Sequence, residues 1–252
     1  MYFRNILIQI LSLKKIIGQY LALKKPKFNN RKFGFLHIGK TSGVSLLSFF
    51  TKLNDQNNKN VPTWFPHEWK LRDIIKYHPN IKISLILRDP VERIISGFYS
   101  LQDRKGAVWK YDEALCHSFF IDVEDYLRAL VQEDNILEKN KAEYVTVTNR
   151  HIRRGYKFYF ESVEFINKNI DKFYYIGSFN EMEKSVEGIM QHPPNFDQLF
   201  ARDYRHLHKL KYSIRLSEMK KEFREKINNY FKLEYEIYNH LNKISKKINK
   251  EN

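Results

Sequence analysis

Two segments constrain this chain more than any other feature: FGFLHIGKTSGVSLLSFF, beginning at Phe33, and ISLILRDPVERIISGFYS, beginning at Ile83. Each is a short apolar run that stops at small or charged residues and resumes with apolar residues at helical spacing. That pattern predicts strand, tight turn and helix twice over. Pro90 sits at the second junction, where the first turn of a helix tolerates its missing N–H. FYYIG at 173–177 predicts a third strand. Periodicity predicts helices over 123–131, 158–170 and 180–190, and residues 217–248 read as charged and helical throughout. Strands alternating with helices require crossover connections, so the expected fold is α/β, with a central parallel sheet flanked by helices in three layers. No Gly/Ser-rich linker and no repeat divides it. One domain is expected over 31–245, preceded by a basic amphipathic segment at 1–30 and followed by a charged tail at 246–252.

Composition excludes some classes and narrows others. With 42% hydrophobic and 15% aromatic residues against 9 Gly and 7 Pro in 252 residues, neither a disordered nor a collagen-like chain is compatible. The single cysteine, Cys116, cannot form an internal disulfide, so a reducing, cytoplasmic compartment is expected. A formal net charge of +15 favours a polyanionic partner: nucleic acid, anionic lipid, acidic glycan or a phosphorylated cofactor. The aromatics are scattered as core residues rather than in an RNA-recognition pattern, which sets nucleic acid aside.

Part of the charge is local. No Asp or Glu precedes Asp55, while Arg4, Lys14, Lys15, Lys24, Lys25 and Lys27 crowd the start. The apolar stretch from Asn5 to Leu13 ends at Lys14-Lys15, short of the roughly 20 residues a spanning helix needs. Ile6, Ile10, Leu13, Ile17 and Leu21 follow helical spacing instead. Residues 1–25 therefore read as a basic amphipathic helix, either packed on its own domain or in peripheral contact with a membrane surface.

The turn after the first strand satisfies the nucleotide-phosphate pattern G-x-x-x-x-G-K-S/T letter for letter, from Gly34 to Thr41. The four intervening residues are Phe35, Leu36, His37 and Ile38, which suit a buried strand and not a turn, so the literal match is set aside. What survives is a strand ending at Ile38, followed by Lys40, Thr41, Ser42, Gly43, Val44 and Ser45, which offer backbone amides and side-chain donors at a helix N-terminus. Such an end binds phosphate or sulfate groups.

The same run resembles the 5′-phosphosulfate loop of sulfotransferases that use 3′-phosphoadenosine 5′-phosphosulfate (PAPS), and in particular the F-x-H-I-P-K-T-x-G-T-S pattern of the Golgi-type carbohydrate group. Gly39 stands for the usual Pro and Val44 for the usual Thr. The second segment resembles that family's 3′-phosphate element, R-D-P-x-x-R-x-x-S, with Arg88, Asp89, Pro90, Arg93 and Ser96 all in place. Looser likenesses to the heparan sulfate 6-O-sulfotransferases continue at Thr148–Arg154, where His151 replaces a Gln, at 173–189 and at 227–241. The resemblance implies a three-layer P-loop-like fold and PAPS as co-substrate, with no metal. It places Arg88 and Ser96 at the 3′-phosphate, Lys40 at the departing phosphate oxygen, and a carbohydrate, including acidic polysaccharide, as the acceptor. An Arg at a strand end with a Ser on the next helix is a suitable fork for the phosphate that separates PAPS from ATP.

Sulfuryl transfer needs a base for the acceptor hydroxyl. His67-Glu68-Trp69 follows the first helix, where the family carries its catalytic His, and resembles an H-x-D-W segment. His67 is favoured, because an imidazole accepts protons near neutral pH without tuning; Glu68 is the alternative. His37, within the strand, reads as packed and not catalytic. Arg150, Arg153 and Arg154 form a basic cluster, with Arg202, Arg205 and Lys209 further on, that suits an anionic acceptor, closure over the cofactor or an ordinary solvated face, and the resemblance favours a substrate role for the Arg150 segment. Two other readings stay open: a P-loop kinase or ATPase using Lys40, Thr41 and Asp89 on ATP and Mg²⁺, and a non-enzymatic basic protein that binds glycans or a membrane surface.

Overall fold

A computed structural model describes residues 32–55, 61–102, 115, 118–132, 134–190 and 219–251. The expected N-terminal helix, Cys116 and the basic residues near Arg202 and Arg205 lie outside them. In chain order the elements are β1 (Phe33–Leu36), α1 (Gly43–Asp55), β2 (Thr63–Phe65), α2 (Leu71–Tyr77), β3 (Lys82–Leu87), α3 (Pro90–Gln102), α4 (Val123–Val131), α5 (Ile136–Thr148), α6 (Arg150–Arg153), α7 (Tyr156–Phe160), α8 (Val163–Lys168), β4 (Phe173–Ser178), α9 (Met182–Met190), α10 (Lys221–Tyr230) and α11 (Lys232–Glu251). No helix among the described residues is long and apolar enough to cross a membrane.

Side-chain alternation along the strands sorts the interior into two faces. Phe35, Trp64 and Ile86 pack with Leu46, Phe49 and Phe50 of α1 and with Val186 and Ile189 of α9. Leu36, Phe65, Leu85 and Leu87 face the other way, onto Leu71 and Ile74 of α2, the aromatics of α7, and Ile237 and Leu241 of α11. The sheet is thus covered on both faces, as parallel sheets generally are, and the α/β expectation with three layers holds. A separate apolar cluster joins α3, α4 and α10 through Ile94, Phe98, Tyr126, Leu127 and Ile227.

The four strands are all parallel, in the order β2-β1-β3-β4. From β1 the chain moves through α1 to β2 at one edge; from β3 it moves to β4 at the other. The crevice outside the carboxyl ends of β1 and β3 is therefore the topological switch point, where open α/β sheets take ligands.

Several elements differ from expectation for identifiable reasons. β2 is only three residues long and sits within a polar stretch, so it shows no periodicity of its own. The expected helix over 158–170 breaks at Glu161, whose φ of 63° lies in the left-handed region, and Ser162 then caps α8 by accepting the Phe165 N–H at 3.2 Å. α5 escapes the periodicity because Ile136, Leu137 and Val147 are exposed while only Ala142 and Val145 are buried. The C-terminal helix divides at Phe231 into α10 and α11.

The expected tail at 246–252 is corrected: α11 runs on to Glu251 and docks through Ile248, which is buried in the core. The next residue, Asn249, accepts the Ile176 N–H at 3.0 Å through its side-chain amide and donates to the Ile176 carbonyl at 2.8 Å. A side chain thus occupies the place of a further strand at the edge β4 and satisfies backbone groups that would invite pairing with another chain.

Candidate functional site

Three segments meet at the switch point: the turn after β1, the turn after β3 and the connection after β2. In the first, the Ile38 carbonyl accepts the Thr41 N–H at 3.3 Å and the Thr41 hydroxyl at 2.8 Å, which closes a tight turn. Lys40 and Ser42 have φ of 70° and 66°. Left-handed backbone costs a non-glycine residue about 1–3 kcal/mol and persists where the surroundings enforce it, commonly at ligand sites. The two left-handed residues curl the chain around Thr41 in the manner of an anion-binding concavity.

Ser42 opens α1: its carbonyl accepts the Leu46 N–H at 3.0 Å, and the amides of Gly43, Val44 and Ser45 precede that bond in the first turn. The side chains of Thr41, Ser42 and Ser45 are buried, and Ser42 Oγ has no hydrogen-bond partner among the described residues. A buried unpaired hydroxyl at the positive end of a helix is a donor that an anion would satisfy. Gly43 is required here because a Cβ would run into the His37 ring.

The turn after β3 reaches the same place. Arg88 donates from Nη1 to the Lys40 carbonyl at 3.2 Å, lies 4.2 Å over the Phe179 ring, and has Nε 3.7 Å from the Glu92 carboxylate. Asp89 caps α3, with Oδ1 accepting the N–H groups of Val91 at 2.9 Å and Glu92 at 3.1 Å; the Tyr235 hydroxyl also donates to its carboxylate. Arg93, 1% exposed, donates to the carbonyls of His151 at 2.8 Å, Ile152 at 3.4 Å and Gly39 at 3.5 Å, so it ties the turn after β1 to α6. Ser96 is buried on α3.

The connection after β2 brings up the acid–base candidates. His67 Nε2 is 2.9 Å from Glu68 Oε1, and Arg154 Nη1 donates to the same oxygen at 3.0 Å and to the His67 carbonyl at 3.3 Å. Burial pushes the Glu68 carboxyl up, but the hydrogen bonds and charges of His67 and Arg154 outweigh it and hold the group at about 2. Glu68 therefore stays ionised and is a weak proton acceptor at neutral pH.

His37, whose place in an apolar run reads as packing alone, also lines the crevice. Its ring centre lies 5.0 Å from that of Trp64 in a tilted contact and 5.5 Å from that of His67 edge to face, directly over Gly43. Burial, then the neighbouring His67 and Lys40, push its pKa down to about 3, against the opposing pull of Glu68. His37 is a neutral wall of the crevice, packed as expected yet part of the site. The unfolded chain binds a proton on this residue between pH 6.5 and 3 that the folded chain refuses, so stability rises with pH across that window. Acidification from pH 7 to 5 should cost about 2 kcal/mol through His37, while Glu68 remains ionised in both states. Thermal melts should show a smaller acid loss for His37→Phe, which keeps the ring on Trp64; equal losses would remove His37 as the cause.

The expected basic cluster is divided by helix geometry. Arg154 turns inward to Glu68, Arg153 donates to the Val147 carbonyl at 3.1 Å on the outside, and Arg150 is partly buried. Arg154 thus belongs to the acid–base group instead of a uniform anion-binding patch. His151 is buried, with its ring 5.8 Å from that of His67.

Two tyrosines of α7 complete the site, and nothing in their local sequence separates them from core aromatics. Tyr156 and Tyr159, both fully buried, reach the turns after β3 and β1 respectively. A hollow of about 710 Å³ lined by Arg128, Lys139, Phe223, Lys226 and Tyr230 is separate from this crevice. No protein-family model, curated protein or solved structure matches the chain.

Proposed function

We propose that the chain is a PAPS-dependent sulfotransferase acting on a hydroxyl, with a carbohydrate as the acceptor class, and that its sheet is of the P-loop-like type. The observation that carries this reading is the direct contact of Arg88 with the Lys40 carbonyl. It brings the two segments that resemble the 5′- and 3′-phosphate elements to one point of the crevice, although they lie 48 positions apart. The unpaired Ser42 hydroxyl and the first amides of α1 suit one phosphate, and the guanidinium on the Phe179 face suits another.

In this reading PAPS supplies the sulfuryl group. His67 takes the acceptor proton as the acceptor oxygen bonds to sulfur and the bond from sulfur to the phosphate oxygen breaks, leaving a sulfate ester and 3′-phosphoadenosine 5′-phosphate (PAP). Lys40 offsets the charge that develops on the departing oxygen. Glu68 and Arg154 orient the His67 ring and its backbone.

A kinase or ATPase is less well supported, since the Asp89 carboxylate that would hold Mg²⁺ already accepts two backbone amides and the Tyr235 hydroxyl. Calorimetry with PAP and with ATP, with and without Mg²⁺, tests the assignment: PAP alone should bind tightly, and Mg²⁺-dependent ATP binding would overturn it. Arg88→Ala should weaken PAP by about 1.5–3 kcal/mol, the range for hydrogen bonds to charged groups, and leave adenosine 5′-phosphate unaffected. Equal losses for both ligands would make Arg88 structural.

A further inference from the structure

We infer that Tyr156 and Tyr159 are positioning residues that hold the two ligand-binding strand ends independently, Tyr156 the Arg88 end and Tyr159 the Lys40 end. The inference rests on the sulfotransferase reading only for the identity of the ligand.

The two residues stand three apart on α7, hence on one face of a helical turn. Tyr156 Oη accepts the Arg88 N–H at 3.0 Å and donates to the Arg88 carbonyl at 2.6 Å, so one hydroxyl grips both ends of the same residue where β3 stops. Tyr159 Oη accepts the Gly39 N–H at 3.0 Å and donates to the His67 carbonyl at 3.3 Å, bridging the turn after β1 to the acid–base connection after β2. Burial pushes the Tyr156 hydroxyl well above its ordinary range and the Tyr159 hydroxyl up to about 12, so both remain protonated donors across the working pH range.

These bonds explain two details of sequence. Position 39 is occupied by Gly where the resembled pattern has Pro, and Pro would delete the N–H that Tyr159 accepts. Gly155 precedes α7 because a Cβ there would strike the Glu234 carboxylate, which accepts the N–H groups of Tyr156 and Lys157. α11 thereby anchors α7, and α7 carries two hydroxyls to two strand ends that lie on the neighbouring strands β1 and β3. A hydroxyl used purely for packing would not need a strand-end backbone partner on each side of the switch point. Functional sites are held to small tolerances by such supporting bonds.

The test uses the full chain and Phe variants, which keep the ring and remove only the hydroxyl. Amide hydrogen exchange without ligand should show Tyr156→Phe accelerating the Arg88 amide at least tenfold with Gly39 unchanged, and Tyr159→Phe doing the reverse. Binding is measured at a temperature where every variant is folded, with PAP, adenosine 3′-phosphate and adenosine 5′-phosphate as probes. Tyr156→Phe should weaken PAP and adenosine 3′-phosphate about tenfold and spare adenosine 5′-phosphate; Tyr159→Phe should weaken PAP and adenosine 5′-phosphate and spare adenosine 3′-phosphate.

Gly39→Pro should act non-additively with Tyr159→Phe on PAP affinity, because both remove the Gly39–Tyr159 bond, and additively with Tyr156→Phe. Uniform losses across the three ligands, or exchange that accelerates at both ends in either variant, would overturn the inference. Should the wild type bind none of the three nucleotides, the sulfotransferase reading fails, and the crossed exchange pattern alone then upholds or overturns the separate holding of the two ends.

Discussion

His67→Ala is expected to lower kcat by about 10²- to 10⁴-fold, the usual contribution of a positioned general base, with PAP affinity unchanged. The expectation is clean because the bonds that fix this segment run through the His67 carbonyl, which accepts from Arg154 and Tyr159 at 3.3 Å each and survives the substitution. Glu68 loses its imidazole neighbour but keeps Arg154 at 3.0 Å.

Glu68→Gln is the companion variant. A carboxyl held at about 2 by His67 and Arg154 against its burial has little basicity to offer at neutral pH. Its removal should therefore cost less than removal of the imidazole, through loosened orientation of His67 and of the buried Arg154. If Glu68→Gln abolishes turnover while His67→Ala stays active, the carboxylate is the base.

The parts of this molecule legible in its sequence are those whose cause is local. β1, β3 and β4 announce themselves as apolar runs of strand length, and Asp89-Pro90 announces the start of α3, because burial on both faces of a parallel sheet leaves an uninterrupted signature. β2 is hidden because Thr63–Phe65 has its partners 29 residues earlier in register with Gly34–Leu36, and nothing within the three residues encodes that pairing. The same distinction divides the site. Lys40 is legible from its place in a strand-to-helix turn that suits an anion, and Arg88 from the resemblance of its segment to a 3′-phosphate element. Arg154 is legible as a charge but not as a partner of Glu68, 86 positions away, since its direction depends on where α6 turns. Tyr159 and Gly39 lie 120 positions apart, and a buried tyrosine in a run of aromatics reads as core whatever its hydroxyl does. The place of His37 in an apolar run reads as packing; its contact with His67 depends on how β2 aligns beside β1.

Lys40→Ala is expected to lower kcat by about 10²- to 10³-fold, the range for losing one group aimed at charge that develops in the transition state, with a smaller effect on PAP affinity. This substitution carries a complication that the backbone predicts. Lys40 has φ of 70°, and its carbonyl accepts from the Arg88 guanidinium, so alanine retains the left-handed strain of a non-glycine residue and any relaxation of that strain would disturb the guanidinium contact, though not the Arg88 backbone that Tyr156 holds. Lys40→Gly separates the two causes, because glycine adopts the same φ without strain and keeps the carbonyl in place. If Lys40 acts through its ammonium, both variants should lose turnover equally while the glycine variant melts no lower than wild type. If Lys40→Gly retains near-normal turnover and only Lys40→Ala fails, the contribution of this position is to the shape of the turn, and the charge on the departing oxygen must be met by the amides of α1 and by Arg88.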